Sequence, residues 1–399
     1  MRDAGHGEFA FSVCKYCKSL ELTEYVVAMP VKIEIPKQLL PEDGRFGSGP
    51  TRVRREALES LLSAASQYVG TSHRRPAVKD VVGRIRSGLR DLYSLPDGYE
   101  VVLGLGGATA FWDVAVFCLI EQRSEHLVFG EFSSKFAASV SKAPHLKQPL
   151  IVESEPGTHP RLVVDPSVDT YALTHNETTT GVLMPVVRPQ APGLVVVDAT
   201  SAAGAVAVEP GEFDAYYFSL QKAFGSEGGL WVALMSPPAI KRVEMLCASD
   251  RYVPPFLDLK QAIDNSRKDQ TVNTPALATI FLMAEQLDWM NHQGGLEWAG
   301  GRAAENAAML YGWAESTSYT VPFVAKPEER SPVTATIDFA GVDALEVAAV
   351  LRANGIVDIE PYRKLGRNQL RIGMWPAIPL SDVEALIESI EFVVSAIGD

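Results

Sequence analysis

The sequence predicts an α/β fold, a mostly parallel sheet layered between helices, followed by a smaller α+β unit. Between residues 100 and 234, short apolar runs alternate with helical segments, the pattern of buried parallel strands and their crossovers. From about Thr320 the pattern changes to strand, helix, strand, helix. The 399 residues, 47% of them hydrophobic, exceed one ordinary core and suit about two domains.

The elements follow in order. Residues 1–28 read as a disordered extension or an over-long start, because an ordinary enzyme beginning is legible from Met29. Cys14-x-x-Cys17 has the spacing of half a zinc site, but no second Cys or His pair lies nearby, so no metal is expected. Residues 29–50, rich in Pro and Gly from residue 36, form an arm. A helix is expected from Thr51 to Tyr68, with Leu58, Leu61, Leu62 and Ala65 on one face. Another spans 77–93, with Val78, Val81, Val82, Ile85 and Leu89 in register. Strands are expected at 100–103, 126–129, 150–152, 170–174, 194–197, 215–220 and 230–234, with helices at 108–120 and 133–143 among them. Thr274 caps a helix over 275–290 with Pro275 in its first turn. Gly294-Gly295 breaks the chain before a further helix. Residues 51–292 are read as the large domain and 293–399 as the small one, with the arm packing near it.

Composition narrows the function. A net charge of −13 and a pI of about 5.1 repel nucleic acid and anionic membranes. A phosphorylated substrate then needs a local basic pocket. No apolar stretch approaches the roughly 20 residues needed to span a bilayer. Lys15, Lys18, Glu21 and Glu24 interrupt any signal-peptide core. Four cysteines make no disulfide framework, and a cytoplasmic location is expected.

Chemistry concentrates at strand ends. Leu194-Val195-Val196-Val197 is apolar on both faces and ends in Asp198. Ligands of open α/β sheets bind beyond the carboxyl ends of strands, and a buried Asp there needs a cation or donors. A protonated pyridine nitrogen is one such cation; capping of the next turn is the other reading. The following strand ends in Ser219-Leu220-Gln221-Lys222 and enters a Gly-rich turn. Desolvation lowers a lysine's pKa, as an imine-forming amine requires; a solvated loop lysine is the other reading. Gly104-Leu105-Gly106-Gly107-Ala108-Thr109 lies between strand and helix, where backbone N–H groups and the helix terminus cradle phosphate. As a dinucleotide fingerprint it fails at Thr109. Trp112 could stack on a flat ring, whereas Phe111 is read as core. His175-Asn176-Glu177-Thr178 offers donors at the same edge, or simply a turn.

Glycine cradle with aromatic, Asn-Glu-Thr, strand-end Asp and Gln-Lys occur here in one order. That order resembles the class-V branch of fold-type-I pyridoxal-phosphate enzymes. Gly47-Ser48-Gly49-Pro50, Ser72-His73-Arg74, Asn273-Thr274-Pro275 and Arg371 narrow the resemblance, over residues 30–399, to the phosphoserine aminotransferase family. The run from Glu360 to Arg371 is similar to its actinobacterial branch.

The resemblance implies pyridoxal 5'-phosphate, a seven-stranded sheet in the large domain, and a homodimer with shared active sites. It implies that Lys222 binds the cofactor covalently and moves the proton, that Asp198 pairs with the ring nitrogen, and that Trp112 stacks on the ring. Thr178 would bond the cofactor, and Ala108, Thr109, Ser201 and Gln221 its phosphate, joined by Asn273 and Thr274 of the neighbouring subunit. Arg371 would fork onto the substrate carboxylate, while His73 and Arg74 of the neighbour bind the substrate phosphate. The implied reaction moves the amino group of L-glutamate to 3-phosphohydroxypyruvate in serine biosynthesis, with a four-carbon phosphohydroxy keto acid of the pyridoxine route as a second substrate.

Two departures stand out. Many members carry Arg where this chain has Ala108, and His-Arg where it has Tyr362-Arg363. Arg363 can still meet phosphate. Arg45 and Arg367 are candidates to compensate, with surface salt bridging as the other reading. Rival functions are an alanine–glyoxylate-type aminotransferase, a desulfurase using Cys118 or Cys247, and a non-catalytic binding protein.

Overall fold

The computed structural model describes residues 33–398. The expectations for residues 1–28, Cys14 and Cys17 among them, lie outside the described residues. The elements run α1 (Arg55–Tyr68), α2 (Pro76–Leu92), β1 (Glu100–Leu105), α3 (Gly107–Cys118), β2 (Ser124–Val128), α4 (Glu131–Ser141), β3 (Leu150–Glu153), β4 (Thr170–Thr174), β5 (Asn176–Glu177), β6 (Val182–Leu183), β7 (Leu194–Asp198), β8 (Ala215–Ser219) and β9 (Leu230–Met235). There follow α5 (Pro237–Cys247), α6 (Leu259–Ser266), α7 (Leu277–Gln293), α8 (Gly295–Ser316), β10 (Thr320–Pro322), β11 (Thr334–Phe339), α9 (Ala344–Ala353), β12 (Gln369–Gly373) and α10 (Leu380–Gly398).

Seven strands form the large sheet in the order β1-β9-β8-β7-β4-β2-β3. Neighbours from β3 to β8 are parallel, and β9 runs antiparallel to both β8 and β1. The expectation of a parallel strand at 230–234 is corrected here. An apolar run does not encode its direction, and the short Gly-rich turn after β8 leaves no room for a crossover. At the edge, β3 is only alternately covered, so the run at 150–152 is a half-exposed strand.

Side chains leave the sheet alternately on both sides. Val101, Leu103, Val195 and Val197 pack with α2 and α7, while Val102, Val196 and Tyr217 pack with α3 to α6. The α2 face is as expected: Val78, Val81, Val82, Ile85 and Leu89 are all buried. Burying these five contributes on the order of 10 kcal/mol before chain entropy is set against it. The α1 face is a correction. Ala57 and Tyr68 are buried, whereas Leu58 and Leu62 are 46% and 78% exposed. Nothing in the described chain covers that apolar row.

A second core joins β11 and β12 with α9 and α10 and takes in Ile35 and Phe46 of the arm. The α8 helix passes from one core to the other, with Ala299 in the first and Leu310 in the second. The start of α7 is also a correction. Ala276 occupies the N-cap position, and the Thr274 hydroxyl meets His73 Nδ1 at 3.1 Å instead of capping. Asp258 caps α6, a helix too short to show periodicity in the sequence.

Candidate active site

The carboxyl ends of β1, β4, β7 and β8 converge on one cavity of about 340 Å³. Its lining includes Gly106, Gly107, Ala108, Thr109, Trp112, Thr178, Asp198, Ser201, Gln221 and Lys222. A larger cleft of about 1020 Å³ lies against the first core, walled by Leu162, Val186 and Val208. None of the expected catalytic side chains lines it. We place the chemistry in the smaller cavity, where ionisable groups converge.

Lys222 follows β8 by three residues and is buried. Burial and the positive charge of Arg371 lower its pKa to about 8, against the pull of Asp198 and Glu177. Its Nζ donates to the Ser48 carbonyl at 2.5 Å and lies 5.9 Å from the Trp375 ring centre. That carbonyl belongs to a strap held from both sides. Trp375 Nε1 donates to Gly47 O at 2.8 Å, Gly373 N to Phe46 O at 2.7 Å, and Thr51 N to Gln221 O at 2.9 Å. Gly49 has φ +119°, and an added Cβ would sit 2.3 Å from Lys222 Nζ. Gly49→Ala is therefore expected to cost about 2 kcal/mol, read as a fall in the thermal midpoint, and to displace the lysine.

Asp198 is buried at the end of β7. Thr200 donates to Oδ1 through N–H (3.0 Å) and hydroxyl (2.6 Å). Trp112 Nε1 donates to Oδ2 at 3.0 Å, so the residue expected to stack on a ring also holds the carboxylate. Phe111 stacks on Tyr217 in the core, as expected. At the cradle, Gly106 and Gly107 take φ +106° and +74°, and α3 begins there. The Ala108 N–H is already donated to Ser219 Oγ at 2.9 Å, and the Ser201 hydroxyl exchanges hydrogen bonds with Asn176. Gln221 Oε1 is buried without a partner.

Arg371, on β12, donates to Thr178 O at 3.3 Å, and its Nε is buried without a partner. Burial lowers its pKa. Its guanidinium lies 5.6 Å from the Tyr362 ring centre, a contact that the sequence reading did not give Tyr362. Arg363 is exposed in the turn that follows. The two compensating candidates take the salt-bridge reading. Arg45 pairs with Asp43 at 2.9 and 2.5 Å, and Arg367 chelates Asp338 beneath the Phe323 ring. Neither lines the cavity.

His73, Arg74, Asn273 and Thr274 form a separate group outside the cavity lining. His73 Nδ1 meets Thr274, its Nε2 is buried and unpartnered, and Arg74 donates to Gln270 at 3.0 Å. Cys118 and Cys247 end helices and donate to Leu257 O and Asp258 Oδ1, away from the cavity lining.

The family model of the class-V aminotransferases matches residues 46–358. The chain belongs to the class-V aminotransferases. A phosphoserine aminotransferase of Nocardioides is 57% identical over 91% of this chain and 98% of its own length. A putative phosphoserine aminotransferase of Mycolicibacterium paratuberculosis is 57% identical over 92% and 99%. The crystal structure of a phosphoserine aminotransferase from Cytophaga hutchinsonii superposes with a TM-score of 0.82 at 25% identity, covering 88% of this chain and 98% of its own.

Class-V aminotransferases work with pyridoxal 5'-phosphate, and this chain's residues fit it. A desolvated lysine, a strand-end carboxylate, a glycine cradle at a helix N-terminus and the unpartnered Gln221 Oε1 line one cavity. Sequence reasoning missed four contributors: Ser48, Trp375, Thr200 and Glu177. Ser48 lay inside the noticed Gly-Ser-Gly-Pro motif, but backbone acceptors have no residue-type signal.

Proposed function

We propose that this aminotransferase is a phosphoserine transaminase of serine biosynthesis, converting 3-phosphohydroxypyruvate and L-glutamate to O-phospho-L-serine and 2-oxoglutarate by a ping-pong route. Arg371 carries this reading: it stands just outside the cavity lining, its positive charge acts on Lys222, and its buried Nε, with no partner, calls for a carboxylate. The names of the relatives at 57% identity support the phosphorylated substrate.

When bound, the cofactor supplies an electron sink that takes the amino group from one substrate and gives it to the next. The chain's residues do the rest. Arg371 binds and orients the carboxylate beside Lys222. Lys222, close to half-neutral at pH 8, takes the substrate's Cα proton and returns it on the other side of the transfer. Asp198 would accept from the protonated ring nitrogen, and the glycine cradle would hold the phosphate end. The strap over Lys222 limits water.

The proposed active unit is a homodimer in which His73, Arg74, Asn273 and Thr274 serve the neighbour's cavity. The exposed Leu58–Leu62 row, the separation of this group from its own cavity and the unpartnered His73 Nε2 support that reading. The arm, a large domain to residue 292 and a small domain beyond it, a cytoplasmic location, and use of the pyridoxine-route keto acid belong to the same proposal. For the described residues, no helix is long and apolar enough to cross a membrane.

Titration of the holoenzyme's visible band tests the substrate. L-phosphoserine is expected to convert the band and L-alanine to leave it, and Arg74→Ala to weaken phosphoserine about 100-fold or more, the loss of one charged phosphate contact. Equal conversion by alanine would leave an aminotransferase of the alanine–glyoxylate type.

A further inference from the structure

We infer that Glu177 is a positioning residue for the transamination: its buried carboxylate ties the N-terminus of α4 to the loop after β4 and thereby places Phe132, Thr178 and Arg371 around Lys222. The inference rests on the aminotransferase reading and extends it to a side chain with no place in the reaction so far.

Glu177 is wholly buried, and its two oxygens receive five hydrogen bonds. Oε2 accepts from Phe132 N (3.1 Å), Ser133 N (3.1 Å) and Ser133 Oγ (3.2 Å). Oε1 accepts from Thr179 Oγ1 (2.8 Å) and Thr179 N (3.4 Å). The N-cap position of α4 is Gly130, which has no side chain to cap with. Glu177 does the capping from another element, where the helix terminus favours an anion. The approach is close enough to require glycine, since a Cβ at Gly130 would lie 2.2 Å from Glu177 Cγ.

Both ends of this tie reach the site. Phe132 and Thr178 line the cavity, and the Thr178 carbonyl receives Arg371. Glu131, the first residue of α4, donates its N–H to Thr179 Oγ1 at 3.2 Å. Its carboxylate pairs with Lys364, beside Arg363 in the turn expected to meet the substrate phosphate. One carboxylate thus joins the wall, the carboxylate-binding arginine and the Arg363 turn. All five of its partners are neutral groups, so its charge is not spent in an ion pair; burial pushes its pKa up, and the hydrogen bonds from Ser133 and Thr179 act against that. It favours the cationic forms of Lys222 and Arg371, which burial opposes.

The test uses the whole chain and two variants. In protein stripped of pyridoxal phosphate, acetylation of Lys222 is followed against pH by mass spectrometry. The native midpoint is expected at about 8. Glu177→Gln keeps the side chain's size and loses its charge, so less holds the ammonium form. Its midpoint is expected to fall by roughly 0.5, and the thermal midpoint falls as well, because the amide NH₂ meets donors at whichever end it takes. Glu177→Asp keeps the charge but is one methylene too short to span both partners. It is expected to hold the native midpoint while the holoenzyme's affinity for glutarate, a dicarboxylate probe of Arg371, drops about tenfold. An unshifted Lys222 midpoint in folded Glu177→Gln, or native glutarate affinity in Glu177→Asp, would overturn the inference. If Glu177→Gln does not fold, the Glu177→Asp result decides. Neither readout needs turnover, so failure of the phosphoserine reading would appear in the substrate titration and leave these results interpretable.

Discussion

Lys222→Ala is expected to fold, to bind pyridoxal phosphate without a covalent bond, and to lose transamination by at least about 10⁴-fold. The size follows from two losses at one atom. The Nζ is the only amine among the cavity's lining side chains, so covalent attachment has no substitute there. It is also the group whose pKa burial and the Arg371 guanidinium bring to about 8. A base poised near the working pH contributes some 10²–10⁴-fold by itself. The fold should survive, because Lys222 anchors the strap through one hydrogen bond to Ser48 O, while Trp375, Gly373 and Thr51 hold the strap independently. Borohydride reduction followed by peptide mass analysis checks the first half: native protein retains cofactor mass on the Lys222 peptide, and the variant does not. Turnover within about a hundredfold of native would remove Lys222 from its role.

The site was legible where residue type and position in an element coincide. A strand apolar on both faces that ends in Asp198, and another leading to Lys222, expose charged groups at a sheet edge whatever the details of packing. The glycine turn before α3 announces itself because glycine suits φ near +106° at Gly106. What escaped depends on partners. The direction of β9 is set by the length of the turn before it, not by its own apolar residues. The α1 periodicity marks an apolar face, but Leu58 and Leu62 find no cover within the described chain. Arg45 and Arg367 offered charge to a substrate phosphate, yet Asp43 and Asp338 hold them; a sequence shows cations and not their counterions. Glu177 stood in a loop read either as offering donors or as a turn, because the partners of its carboxylate lie in a helix that begins 46 positions earlier, at Glu131.

Asp198→Asn is the second large effect, expected to lower kcat by about 10³-fold. The substitution keeps size and changes what the two outer atoms can do. Three donors already converge on the carboxylate: the Thr200 N–H and hydroxyl on Oδ1, and Trp112 Nε1 on Oδ2. A protonated ring nitrogen would be a fourth. An asparagine turned to satisfy Thr200 with its oxygen aims its amide NH₂ at Trp112 and at the ring nitrogen, donor against donor. Turned the other way, it leaves Thr200 facing the NH₂. One charge-assisted hydrogen bond lost costs about 1.5–3 kcal/mol, and a buried donor left unmatched about 1–3 more. Their sum centres near 4 kcal/mol, or about three powers of ten in rate. The same mismatch should weaken cofactor binding, so kcat must be measured with pyridoxal phosphate in excess to separate the two. Retention of more than a tenth of native kcat under those conditions would mean that the ring nitrogen does not rely on Asp198, and the carboxylate would revert to a cap for the turn at Thr200.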